Sequence, residues 1–439
     1  MNPHLESQFP LTPSPESPRD RLRYNIATEL VYVDNPDNGA SPHDRYNASS
    51  MPIYQTATFK QNSATQMGEY DYTRSGNPTR SHLERHLAKI MNANRALVVS
   101  SGMAALDVIT RLLKPGDEVV AGNDLYGGTL LYLSASNNKG QTVYSNIYTT
   151  DPEEVRPRLT ENTAFVLLET PTNPMIKIAD IPSISTIVHE KCSRAIVVVD
   201  NTMLSPYLQS PLDLGADISY ESGTKYLSGH HDLMAGVIAV NNLSLAERLF
   251  FSINASGCGL SPFDSWLLMR GVKTLAVRME KQQSNAIQIA KFLESHGLKT
   301  HYPGLLSHPQ FKLHHSMARG PGAVLSFETG NATISERIVE GTRIWGISVS
   351  FGCVNSLISM PCKMSHASID PETRAKRALP EDLIRLCVGI EDADDLIQDL
   401  QTALIKANAL KISINGCHAP YNLDQENDAM SLSVGVLDF

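Results

Sequence analysis

Residues 96–113 open with Ala96-Leu97-Val98-Val99, pass through Ser100-Ser101-Gly102, and continue into a helical run from Met103. Four consecutive apolar residues make a strand buried on both faces. The small residues form the turn, and the helix begins directly after it. Further apolar runs lie at 118–121, 165–168, 196–199 and 236–240, with helical or loop segments between several of them. Strands of this kind alternating with helices predict an α/β chain with a mostly parallel central sheet covered on both sides. Upstream, Leu83, Leu87, Ile90 and Met91 recur at helical spacing. Downstream, 272–297 reads as a helix that could link a second, smaller α+β unit. Strands are expected there at 323–327 and 347–351, with a final acidic helix over 391–409. The organisation expected is a disordered tail at 1–22, an N-terminal arm at 23–75, a large domain at 76–271, a small domain at 272–410 and a tail at 411–439. The polar stretch at 34–50 is read as part of the arm.

Composition narrows the function classes. The chain has 439 residues, 42% hydrophobic and 19% charged, with a formal charge of -9. The acidic balance argues against nucleic acid as the main partner, since phosphate binding needs a basic face. No apolar run approaches the ~20 residues that span a bilayer. The six cysteines (Cys192, Cys258, Cys353, Cys362, Cys387 and Cys417) are scattered and form no C-x-x-C pair. Neither a zinc site nor a disulfide framework is expected, and a reducing compartment fits best. Glu6, Glu16 and Asp20 stand in a Pro- and Ser-rich start without an apolar core, which argues against a secretory or mitochondrial leader. The cytoplasm is the expected location.

In open parallel sheets, ligands gather at the carboxyl ends of strands. Three such ends carry distinctive residues. Ser100-Ser101-Gly102-Met103-Ala104 opens a helix, where backbone N–H groups can hold phosphate; alone it fits a tight turn as well. Val199-Asp200-Asn201-Thr202 places a carboxylate straight after apolar residues, and alone Asp200 fits an N-cap. Ser222-Gly223-Thr224-Lys225-Tyr226 carries a lysine that alone fits a solvated charge. His230-His231 invites a metal, but adjacent side chains converge poorly on one ion, so no metal is expected. Together the three ends suit pyridoxal phosphate. That cofactor needs a lysine amine, an acid at the pyridine nitrogen and donors for its phosphate. Tyr126, in Leu125-Tyr126-Gly127-Gly128-Thr129, offers an aromatic face for the ring. Gly257-Cys258-Gly259 lacks the third glycine of a dinucleotide fingerprint.

Six stretches in order make the pattern specific. They are 72–79 (Tyr72-Thr73-Arg74-Ser75-Gly76-Asn77-Pro78-Thr79), 101–104, 125–128, 169–174 (Glu169-Thr170-Pro171-Thr172-Asn173-Pro174), 199–202 and 222–230. Over about 45–410 the chain resembles the Cys/Met-metabolism family of pyridoxal-phosphate enzymes. The resemblance implies the aspartate-aminotransferase-like fold, fold type I. It implies Lys225 as the Schiff-base lysine and proton carrier, Asp200 as the partner of the ring nitrogen, and Tyr126 stacked on the ring. Gly102, Met103, Ser222 and Thr224 would hold the phosphate. Tyr72 and Arg74 would reach a neighbouring subunit's phosphate, implying at least a dimer, with a homotetramer usual. Arg385 would grip the substrate α-carboxylate, with Asn173 and Ser350 close by.

Many γ-acting relatives carry a glutamate just before the serine matching Ser350; here that position is Val349. The stretches 348–368 and 225–236 resemble plant and fungal members that act at the β carbon. The resemblance therefore implies α,β-elimination of L-cystathionine to homocysteine, pyruvate and ammonia. Leu130-Leu131 stands where relatives tend to be polar, which fits either helix packing or a less polar distal group, such as another cysteine S-conjugate. Cleavage or synthesis at the γ carbon, and a non-catalytic pyridoxal-binding role, remain the alternatives.

Overall fold

The computed structural model describes residues 24–33, 48–122, 124–138, 143–147, 151–365, 367, 379–411 and 419–420. The tail expected at 1–22, most of the polar stretch at 34–50, His366 and Ser368, and nearly all of 411–439 lie outside the described residues.

Seven strands form the first sheet: β1 (Arg95–Val99), β2 (Glu118–Gly122), β3 (Val143–Ile147), β4 (Thr163–Glu169), β5 (Ile196–Asp200), β6 (Ile218–Ser222) and β7 (Gly236–Val240). Their order is β1-β7-β6-β5-β4-β2-β3. All neighbours run parallel except β7, which is antiparallel to both β1 and β6. Side chains of a strand alternate between faces, and here both faces are apolar. Val197 and Val199 join one buried cluster while Val198 joins another. Val237 and Ala239 likewise separate from Ile238 and Val240. This two-sided burial is why the strands read as unbroken apolar runs.

The second sheet contains β8 (Lys299–His301), β9 (Val324–Glu328), β10 (Gly346–Ile347), β11 (Leu357–Ser359) and β12 (Ile384–Cys387), in the order β10-β11-β12-β9-β8. One continuous cluster joins Ala96 and Val98 of the first sheet to Leu325, Phe327 and Leu386 of the second. The two sheets therefore share packed apolar side chains, and residues from both can meet at one site.

Three expectations need correcting. The helix expected over 272–297 runs over Leu275–Ser295, and a separate helix, Pro262–Val272, that was not expected precedes it across Lys273 and Thr274. The strand expected at 347–351 stops at Ile347. Beyond it the Val349 and Ser350 carbonyls accept hydrogen bonds from Arg385 Nη2 at 2.9 and 3.0 Å, so they point at a side chain and not along a ladder. The final helix is shorter than expected, Ala393–Lys406, with Asp392 as its N-cap. Among the described residues, no helix is long and apolar enough to cross a membrane.

Candidate active site

The carboxyl ends of β1, β4, β5 and β6 lie along one edge of the first sheet, and the parallel registers determine which residues meet. Glu169 stands opposite Asp200 on β5, and Asp200 stands opposite Tyr220 on β6. Ser222 closes β6 opposite Gly236, while Val99 closes β1 against the same Gly236. A Cβ on Gly236 would fall 2.1 Å from the Ser101 carbonyl oxygen, so only glycine lets β7 pass this turn.

The helix Gly102–Thr110 starts at this edge. Ser101 caps it, its Oγ accepting the Ala104 N–H at 3.0 Å; replacing such a cap by alanine typically costs about 1 kcal/mol. The first N–H groups, of Gly102 and Met103, have no acceptor within a helix. A Cβ on Gly102 would come within 2.9 Å of the Ser222 Cβ. The helix start and Ser222 therefore touch, and together they offer backbone and hydroxyl donors suited to a phosphate. The Ser222 N–H donates to Thr202 Oγ1 at 2.8 Å. Thr224 is less available than expected, since its Oγ1 accepts the Ala235 N–H at 3.0 Å.

Asp200 accepts from Thr202 twice, from N–H at 2.9 Å and from Oγ1 at 2.5 Å. Burial pushes its carboxyl above the usual range, opposed by hydrogen bonds from Thr202 and from the Tyr220 hydroxyl. A carboxyl in this setting suits a ligand that brings its own N–H⁺, as a protonated pyridine does. Tyr126 is 47% exposed, and its N–H donates to Glu169 Oε2 at 2.8 Å. A Cβ on Gly128 would lie 2.6 Å from the Tyr126 ring. This glycine makes room for the tyrosine itself.

Lys225 sits in the turn after β6, its N–H donating to the Ser222 carbonyl at 3.1 Å. Its Nζ donates to Ser350 Oγ at 2.8 Å and lies 5.3 Å from the centre of the Phe351 ring. Burial lowers its pKa first, and the nearby Arg385 charge lowers it further. Both favour a neutral, nucleophilic amine. Arg385, on β12, is fully buried. Besides its bonds to the 349 and 350 carbonyls, its Nη1 donates to Asn173 Oδ1 at 2.9 Å. Among the described residues its Nε has no hydrogen-bond partner, and a substrate carboxylate would fill that gap.

Lys225, Ser350, Arg385 and Asn173 thus form one connected group, while Gly102, Ser222, Thr202 and Asp200 line the adjoining edge. Tyr72 and Arg74 lie elsewhere. They border an open groove of about 340 Å³ with Gln55, Thr56, Ala57, Thr73 and Pro262, and none of the other expected site residues lines it. The Arg74 guanidinium carbon sits 5.3 Å from the Tyr72 ring centre, and its Nε donates to Asn254 Oδ1 at 3.2 Å.

Sequence reasoning assigned no role to Glu169, Thr202, Tyr220 or Phe351. The first two lie inside quoted stretches, but only strand register shows that they meet Tyr126 and Asp200. Two readings stood open for Leu130-Leu131, and for Leu130 the structure supports helix packing. Leu130 is 6% exposed and packs in the core with Leu133 and Leu125, whereas Leu131 is 60% exposed. The two side chains therefore lie in different surroundings, one packed in the core and one at the surface.

A family model described as Cys/Met metabolism PLP-dependent enzyme matches residues 34–405. The chain belongs to this family. Its cofactor is pyridoxal phosphate, and the donors above fit it. A Neurospora crassa protein named cystathionine beta-lyase is 67% identical over 411 residues, covering 94% of this chain and 88% of its own. A Schizosaccharomyces pombe protein of the same name is 53% identical over 389 residues, covering 88% and 98%. The crystal structure of a cystathionine gamma synthase from Xanthomonas oryzae pv. oryzae in complex with cystathionine superposes with a TM-score of 0.84 at 36% identity, covering 88% of this chain and 99% of that one. The fold is therefore the expected fold type I.

Proposed function

We propose that the protein is a carbon–sulfur lyase that converts L-cystathionine and water to homocysteine, pyruvate and ammonia. The observation that carries this is the fully buried Arg385, with an unfilled donor, connected through Ser350 to the Lys225 amine. An amino-acid carboxylate held there presents its α carbon to the Lys225 amine. Bound pyridoxal phosphate supplies the electron sink for the charge left at that carbon.

The residues divide the remaining work. Lys225 holds the cofactor, and once freed its amine takes the α-proton. Ser350 Oγ accepts from that amine and fixes its direction. Asp200 keeps the ring nitrogen protonated, and Tyr126 covers the ring. The bond from the β carbon to sulfur then breaks, and Lys225 returns its proton to the departing homocysteine thiolate. Water releases pyruvate and ammonia.

Action at the β carbon is supported by Val349. Its side chain is apolar and 53% exposed, and its carbonyl is tied to Arg385, where many γ-acting relatives place an acid. The names of the fungal relatives support the same choice. Arg74 and Tyr72, on the arm at 23–75, serve the phosphate of a second subunit, so the working unit is at least a dimer and a tetramer fits the family. The large unit at 76–271 carries the cofactor and the small one at 272–410 supplies Arg385. Cys192, Cys258, Cys353 and Cys387 form no disulfide among the described residues, which supports a reducing compartment, and we assign the cytoplasm. Product analysis with L-cystathionine tests the reaction. Pyruvate with homocysteine is expected; 2-oxobutyrate with cysteine would overturn the assignment in favour of γ-elimination.

A further inference from the structure

Glu169 is a buried carboxyl that the mechanism above does not use. It ends β4 with Asp200 beside it on β5, and residues opposite one another on neighbouring strands point to the same face. Its Oε2 holds the Tyr126 N–H, and the Asn173 backbone N–H also acts on it. It therefore holds the backbone of the residue that covers the ring, while flanking the acid that serves the ring nitrogen.

Two carboxyls side by side in a buried site do not both ionise readily. Their surroundings show which one keeps the proton. Asp200 receives two bonds from Thr202 and one from the Tyr220 hydroxyl, and the ring nitrogen would add a cation. Glu169 accepts the Tyr126 N–H, and the acids Asp200 and Asp124 both push its carboxyl upward. Asp124 itself is held by Thr172 Oγ1 at 2.5 Å. Burial first, and then Asp200, push the Glu169 carboxyl well above its ordinary range.

We propose that Glu169 is a positioning residue that works as a neutral carboxylic acid, anchoring the Tyr126 backbone over the cofactor ring while leaving Asp200 free to carry the charge opposite the ring nitrogen. The inference rests on the placement of that nitrogen at Asp200. A neutral acid can share an edge with an ionised Asp200, whereas a second anion would compete for the same proton.

The test uses purified holoenzyme with Glu169→Gln, Glu169→Leu and Asp200→Asn. Glutamine copies the shape of a neutral acid, so Glu169→Gln should bind pyridoxal phosphate within about threefold of the unchanged protein, since a paired neutral group is exchanged for another. The pH dependence of its visible cofactor absorbance should overlay that of the unchanged protein. Its infrared spectrum at neutral pH should lack one protonated-carboxyl carbonyl band. Glu169→Leu strands the Tyr126 N–H and should bind the cofactor roughly tenfold or more weakly. If Glu169→Leu does not fold, the infrared and absorbance results on Glu169→Gln decide alone. Glu169→Leu binding the cofactor normally would overturn the positioning role. If Asp200→Asn leaves cofactor binding and ring spectrum unchanged, the nitrogen placement falls and the inference with it. If Asp200→Asn changes both but Glu169→Gln removes no infrared band, or shifts the absorbance profile, Glu169 is an anion and only the inference falls.

Discussion

Arg385 Nη1 donates to Asn173 Oδ1 at 2.9 Å across 212 residues of sequence, joining β12 of the second sheet to the loop after β4 of the first. The guanidinium is thereby held flat and fully buried beside Ser350. Lysine has the charge without the fork. Arg385→Lys should lower kcat/KM for L-cystathionine by roughly 10- to 150-fold, the equivalent of about 1.5–3 kcal/mol for a charged hydrogen bond. Most of the change should fall on KM. Steady-state kinetics with the cofactor spectrum unchanged would establish this; a normal KM would remove Arg385 from the carboxylate.

Lys225→Ala should fold but lose turnover. Losing a positioned base typically removes about 100- to 10,000-fold in rate, and loss of the covalent anchor adds to this. In the unchanged protein, burial and Arg385 lower the Lys225 pKa. Covalent loading of pyridoxal phosphate should therefore persist to lower pH than the ordinary lysine value of about 10.4 allows. Absorbance of the attached cofactor during loading across a pH series measures this, with Lys225→Ala as the blank.

Arg74→Ala should weaken cofactor retention, because Arg74 lines an open groove that, of the other expected site residues, only Tyr72 borders. Mixing it with Lys225→Ala should restore part of the activity, since one hybrid site then receives both intact residues. If subunit exchange is demonstrated and the mixture stays inactive, the shared-site assignment fails.

The adjacent leucines should behave oppositely. Leu130→Ala empties core volume and should destabilise by about 2–5 kcal/mol, whereas Leu131→Ala, at an exposed position, should stay within about 0.5 kcal/mol. Denaturant unfolding of both variants checks this. Equal losses would mean that Leu131 is covered in the assembled protein.

His86 is fully buried on the helix Pro78–Ile90, and burial first, then neighbouring His82, push it down to about 3. It stays neutral when folded but takes a proton near 6.5 when unfolded. Its contribution to stability is present above about 6.5 and is lost as pH falls from there towards the folded value. Stability should therefore drop more between pH ~7.5 and pH ~5 in the unchanged protein than in His86→Leu. Urea unfolding at the two values makes the comparison; equal slopes would show that His86 is not the group responsible.

The apolar strands were legible because both faces of the first sheet are covered. β6 was not, since Ile218-Ser219-Tyr220-Glu221-Ser222 is largely polar. Its buried Glu221 is satisfied by Asn201 Nδ2 at 2.8 Å, a partner that only the fold supplies. Lys225, Asp200, Tyr126 and Arg385 stood out through a family pattern, not through spacing alone. Glu169 did not, because its contacts depend on the register of β4 against β5. The strand expected at 347–351 failed for a related reason: the residues that look extended there give their carbonyls to Arg385.

The pairing of β1 with β7 also shapes how the protein is made. Synthesis at about 5–20 residues per second separates Val99 from its partner Gly236 by seconds to tens of seconds. Throughout that interval β1 is an apolar strand lacking its single neighbour in the described sheet, the kind of open edge that sticks to other chains and engages chaperones. A nascent chain that stops before residue 236 has the Ser101–Met103 turn without the strand that closes it, and no Lys225 turn seated against β7. Arg385 arrives about 150 residues later still. Cofactor capture and substrate recognition are therefore late events in the life of each new polypeptide, and abandoned fragments have no complete pocket with which to sequester pyridoxal phosphate from finished enzyme.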